Sequence, residues 1–118
     1  MNMNTEMQVW GRVWVTRNGN NLIGRGRVTL LKKIAETGSI SQAAKSMKMS
    51  YKAAWDAVDA MGKTLGEPLV ATSTGGRGGG GAQLTAKAHL VIAAFEAIEI
   101  RHQQMLQDLA AEFNAALV

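Results

Sequence analysis

Ser50, Tyr51, Lys52, Trp55 and Asp56 bring together a hydroxyl, two aromatic rings, a cation and a carboxylate within seven residues. If the segment is helical, Tyr51, Lys52, Trp55 and Asp56 share one face through spacings of three and four, and Ser50 is a natural N-cap. That set suits recognition better than catalysis. Lysine favours guanine acceptors, aspartate accepts from the cytosine amino group, and aromatic rings meet thymine methyls. Asp56 and Asp59 could act as an acid/base carboxylate pair. The simpler alternative is ion pairing with Lys52 and Lys63, each four residues away. Trp55 beside a lysine needs something to bind it, unless it is a core residue packed under a neighbouring loop.

Other chemistry is sparse. His89 and His102 stand thirteen apart with no carboxylate at ligand spacing, and no Ser/His/Asp grouping is visible. The chain has no cysteine, which excludes disulfides, thiol nucleophiles and thiolate metal sites. These absences point away from an enzyme and predict no cofactor and no metal. The run Gly75-Gly76-Arg77-Gly78-Gly79-Gly80-Gly81 invites a phosphate-loop reading. Such a loop needs lysine followed by Ser/Thr, whereas Ala82-Gln83 follow here. Two readings remain: a hairpin tip whose Arg77 lies along a DNA groove or backbone, and a linker with no role.

The elements that would position these residues follow from periodicity. From Val9 to Ile23 apolar and polar residues alternate around Asn18-Gly19-Asn20, which predicts a β-hairpin over 7–24, with Gly24 and Gly26 breaking the second strand. Val28, Leu31, Ile34 and Ala35 have helical spacing, and Gly38 supplies a left-handed stop. Ser39 to Gln42 fits a capping box, opening a short second helix that ends near Met47. Lys48 and Met49 make a turn, and a third helix then packs inward through Ala54, Val58, Met61 and Leu65. Residues 27–65 thus read as a helix followed by a helix-turn-helix, and 69–84 as a wing. Ser39, Ser41, Gln42, Lys45 and Lys48, near the second helix, are placed to hold DNA phosphate, as is Arg77 in the wing.

A last helix is predicted over 85–117, about 48 Å long at roughly 1.5 Å per residue. Along it Leu84, Ala88, Val91, Phe95, Ile98, His102, Met105 and Leu109 step by alternating fours and threes, a heptad seam. Val91, Phe95, Ile98, His102, Met105 and Leu109 are therefore expected at a homodimer interface, with His102 setting register.

Length and charge agree with this layout. A chain of 118 residues suits one domain, mainly α with a small β component: a winged helix-turn-helix over 1–118 with an N-terminal hairpin and a long C-terminal dimerisation helix. Residues 1–90 carry 12 Lys/Arg and 5 Asp/Glu, net +7, and residues 91–118 carry 1 and 4, net −3. The basic charge accompanies the reading segment and would attract a polyanion. The opening residues have no basic n-region with an apolar core, and no apolar run reaches membrane-spanning length, so a cytoplasmic location is expected.

Three stretches, ETGSISQAAK (Glu36–Lys45), SYKAAWDAVDAM (Ser50–Met61) and TGGRGGGGAQLT (Thr74–Thr85), resemble the N-terminal DNA-binding domain of the ModE family, the molybdate-responsive bacterial regulators. The LysR-type winged helix is a more distant resemblance. The similarity runs over about Gly24 to Gln107. It implies a dimer joined by long helices, each half presenting its third helix to half of a palindromic operator. Full-length members of that family continue into molbindin domains that bind molybdate; here molybdate sensing is expected, if at all, from a separate domain or oxyanion-binding protein. The expected function is regulation of molybdate transport or molybdenum cofactor genes through double-stranded DNA. Alternatives are a small oxyanion-binding protein using the glycine loop, or a helix-mediated protein-interaction module.

Overall fold

Asn18 and Gly19 adopt positive φ, 51° and 81°, which is the two-residue turn that joins strands of natural twist. They link β1 (Val15–Arg17) to β2 (Asn20–Ile23). In this computed structural model, which describes residues 5–74 and 81–118, there follow α1 (Arg25–Thr37), α2 (Ile40–Ser46) and α3 (Tyr51–Leu65). The antiparallel pair β3 (Val70–Ser73) and β4 (Gly81–Leu84) then leads into α4 (Ala86–Ala116). The fold is a winged helix-turn-helix with a long C-terminal helix, as the sequence predicts.

The chain forms two compact units. The larger is Trp14–Phe95. Its core takes Val28, Leu30, Leu31 and Ile34 from α1, Ala43 and Ala44 from α2, and Ala54 and Met61 from α3, with Leu69, Ala88 and Phe95, all at most 2% exposed. Burial on the inward stripe of α3 is graded, since Val58 and Leu65 are only half-buried. No described side chain leaves a buried polar atom without a partner.

The first hairpin is shorter than the alternation predicts. Residues 7–14 belong to no strand, because β2 runs into α1 at Gly24 and offers no partner for them. Pairing is irregular even at its root, where Val15 faces Ile23 but Thr16 faces Asn21. Helix α1 begins at Arg25, so Gly26 lies in its first turn and does not act as a breaker. Gly38 does end it, with φ 70° and its N–H donating to the Ile34 carbonyl over 2.8 Å.

The smaller unit joins residues 5–13 to Glu96–Val118. Within it the early chain runs along α4 in the opposite direction. Met7 N–H donates to Asn114 Oδ1 and Asn114 Nδ2 donates to the Met7 carbonyl, both at 2.9 Å. Four residues on, a Cβ at Gly11 would stand 3.3 Å from Leu106 and 3.4 Å from His102. Glycine is what lets the backbone pass that close.

Candidate nucleic-acid interface

Two serine caps set the helix-turn-helix. Ser39 Oγ accepts from Gln42 N–H at 3.1 Å, and Ser50 Oγ accepts from Ala53 N–H at 3.0 Å. The capping box at Ser39 is one-sided, because its own N–H donates to Thr37 Oγ1 at 3.3 Å and Gln42 is not needed there. Between the helices Lys48 adopts φ 56°, a left-handed conformation that costs a β-carbon-bearing residue about 1 kcal/mol or more. Met49 N–H donates to the Ala44 carbonyl at 3.0 Å, closing the end of α2 so that α3 can start at Tyr51.

The first two turns of α3 bury Ala54 and present Tyr51, Lys52, Trp55 and Asp56 outward. Tyr51 is 56% and Trp55 45% exposed, and Lys52 and Asp56 lie outside the core. Trp55 is therefore not a core residue. It walls an open groove of about 460 Å³ together with Ile40, Val58, Asp59, Pro68 and Val70. Lys52 Nζ meets Asp56 Oδ2 at 2.7 Å, and Lys63 Nζ meets Asp59 Oδ2 at 2.9 Å. Each lysine is held above its ordinary pKa, first by that hydrogen bond and then by the neighbouring charge. Both aspartates are thus engaged in surface ion pairs, the simpler of the two sequence readings, and not poised as an acid/base pair.

The wing is rooted where α1 gives way to α2. Ala82 N–H donates to the Gly38 carbonyl at 2.9 Å, fixing β4 against the entry to α2. Thr85 N–H donates to the Leu69 carbonyl at 3.0 Å, and Thr85 Oγ1 caps α4 by accepting from Ala88 N–H at 3.2 Å. The tip residues 75–80, including Arg77, lie outside the described residues.

Not all of the basic charge is available to a partner. Arg17 Nη1 donates to the Thr64 and Leu65 carbonyls at 3.4 and 3.3 Å, neutralising the C-terminal end of α3. Arg27 Nη1 reaches the Asn21 and Leu22 carbonyls at 2.7 and 3.2 Å, clamping β2 to α1. Neither role had a local signal in the sequence, since each acceptor is a backbone carbonyl on another element. Lys87 pairs with Glu67 at 3.3 Å. The side chains of Lys45 and Lys48, by contrast, engage no partner among the described residues, and like those of Ser41 and Gln42 they are exposed.

The seam on α4 divides. Ile98, Met105 and Leu109 are 40%, 49% and 41% exposed, whereas Val91 is half-buried. Phe95 is 1% exposed, so its ring belongs to the core of its own unit and cannot face a partner, contrary to the heptad expectation. His102 is half-buried beside Gly11 and is committed in part to its own chain. Ile92 and Leu106, which the heptad reading leaves out, are buried at 8% each. Among the described residues no helix is long and apolar enough to cross a membrane, and no cluster of metal-ligating side chains occurs.

Capped helices around a tight turn, an exposed face on α3 and a wing rooted at the end of α1 define a winged helix-turn-helix domain. Residues 26–89 match the bacterial regulatory helix-turn-helix proteins of the lysR family, and the chain belongs to that family. It is similar to the molybdenum transport protein ModE of Azotobacter vinelandii, 47% identical over 88 residues, covering 75% of this chain and 33% of that protein. It is also similar to the transcriptional regulator ModE of Haemophilus influenzae, 42% identical over 94 residues, covering 77% and 37%. The chain thus spans about a third of the length of the curated relatives it matches. Among solved structures it resembles the CbnR DBD seen in a complex with DNA, with TM-score 0.57 and 23% identity over 76% of this chain and 99% of that one. At that identity the likeness is one of fold.

Proposed function

We propose that this protein binds duplex DNA sequence-specifically as a cytoplasmic homodimer and regulates transcription of genes for molybdate transport or the molybdenum cofactor. The observation that carries the reading is the capped α3 of a lysR-family helix-turn-helix, with Tyr51, Lys52, Trp55 and Asp56 exposed on its first turns. Ser50 begins that reading surface. Ser39, Ser41, Gln42, Lys45 and Lys48 flank it as phosphate contacts, and Arg77 adds a cation from the wing. The molybdenum link rests on the names of the relatives and on the sequence they share with this chain.

Selection of bound sequences from random duplex DNA, with and without molybdate, tests this directly. The expected result is a palindromic consensus that molybdate leaves unchanged, because any molybdate sensing is expected of a separate domain or protein and not of this chain. Indifference to every duplex in a salt titration would instead favour the protein-interaction module. Calorimetric binding of molybdate, sulfate or phosphate to the chain would favour the oxyanion-binding alternative.

Trp55→Ala is expected to weaken operator binding by about 10- to 100-fold while changing non-specific binding little, as loss of a base contact does. Competition titrations against operator and unrelated duplexes check this. Equal loss on both would move Trp55 to the phosphate-contacting group.

A further inference from the structure

Asp56 is an anomaly on a face that approaches a polyanion. Its side chain is 53% accessible and its oxygen lies 2.7 Å from the Lys52 ammonium, which is itself 84% accessible. Helix stability alone does not select this arrangement. Lysine in the first turn opposes the helix dipole, and an acid N-terminal to its lysine is the better order at this spacing. Asp59 and Lys63, one turn further on, have that favoured order. The order of Lys52 and Asp56 is thus the weaker of the two for the helix, and it sets both charges on the exposed face.

The major groove supplies a match. A carboxylate there is repelled by phosphates and by the acceptors of guanine, adenine and thymine, and is satisfied by base amino groups. An ammonium has three protons, of which one serves Asp56 and the others remain for acceptors. On a G·C pair the guanine N7 and O6 acceptors lie side by side next to the cytosine amino group. On an A·T pair the amino group separates the two acceptors, so a lysine finds only one at a time.

We propose that Lys52 and Asp56 act as one unit that reads a G·C pair in a fixed strand orientation, Lys52 on guanine and Asp56 on the cytosine amino group. This rests on α3 being the reading helix. Each half-site then contains one G·C pair that cannot be inverted without placing the carboxylate against guanine acceptors.

Random-duplex selection with the wild-type chain and with Asp56→Asn tests it. The wild-type pool is expected to fix one oriented G·C pair per half-site, and the Asp56→Asn pool to lose preference at that position while keeping the others. Replacing the pair by A·T should lower wild-type affinity by about 10- to 100-fold and that of the variant by less than about 3-fold. A second measurement leaves the protein unaltered. 7-Deazaguanine at that position, which lacks the N7 acceptor, should weaken wild-type binding several-fold. An unchanged preference in the Asp56→Asn pool, an A·T pair at the dependent position, or indifference to 7-deazaguanine would each overturn the proposal. Pools with no preference at any position would overturn the reading-helix assignment itself, and this inference with it.

Discussion

Ile98→Glu is expected to convert dimers to monomers and to lower affinity for a two-half-site duplex by about 10²- to 10⁴-fold, the gain that tethering two binding modules supplies. Affinity for a single half-site should be unchanged. Ile98, Met105 and Leu109 stand seven and four residues apart on α4 and are each 40–49% exposed, an apolar series left accessible among the described residues. In a symmetric pair of helices the substitution places two carboxylates where apolar side chains would meet. Light scattering reports the mass, and gel shifts with whole and half operators report the binding. A dimer that survives the substitution would place the interface elsewhere.

Phe95→Ala, three residues earlier, is expected to fail in a different way. Its ring is 1% exposed and among the largest fully buried side chains, so truncation should cost about 3–5 kcal/mol of folding stability through lost transfer energy and the cavity left behind. That is a large share of the roughly 5–15 kcal/mol that holds a domain of this size together. Urea unfolding should show a lower midpoint with an unchanged slope. A loss below about 1 kcal/mol would mean that the ring is not part of the core.

These two residues show what periodicity can and cannot tell. Both fit the same heptad series, because spacing identifies a stripe but not what covers it. Ile92 and Leu106 were missed for the same reason, since the buried stripe of α4 is rotated toward them. The elements that carry local signals were legible. Ser39 and Ser50 cap where their types predict, Gly38 adopts the left-handed stop, and Asn18-Gly19 makes the turn. The shared exposed face of Tyr51, Lys52, Trp55 and Asp56 on α3 was legible as well, because three- and four-residue spacings fix which side chains share a side. Long-range tertiary contacts left no such trace. Nothing near Met7 announces Asn114, and nothing near Arg17 announces the end of α3. The alternation of residues 7–14 promised a strand, but pairing depends on a partner strand that the alternation alone does not specify.

Lys48 is where folding and surface charge pull in opposite directions. Glycine would relax its φ of 56°, and asparagine would tolerate it better than lysine does, yet either would remove a cation from the turn between α2 and α3. A library at this position selected for heat resistance alone should therefore converge on glycine or asparagine, whereas one selected for operator occupancy should return lysine or arginine. Sequencing the two outputs would reveal whether this turn is one of the places where natural proteins accept lower stability to keep an interaction.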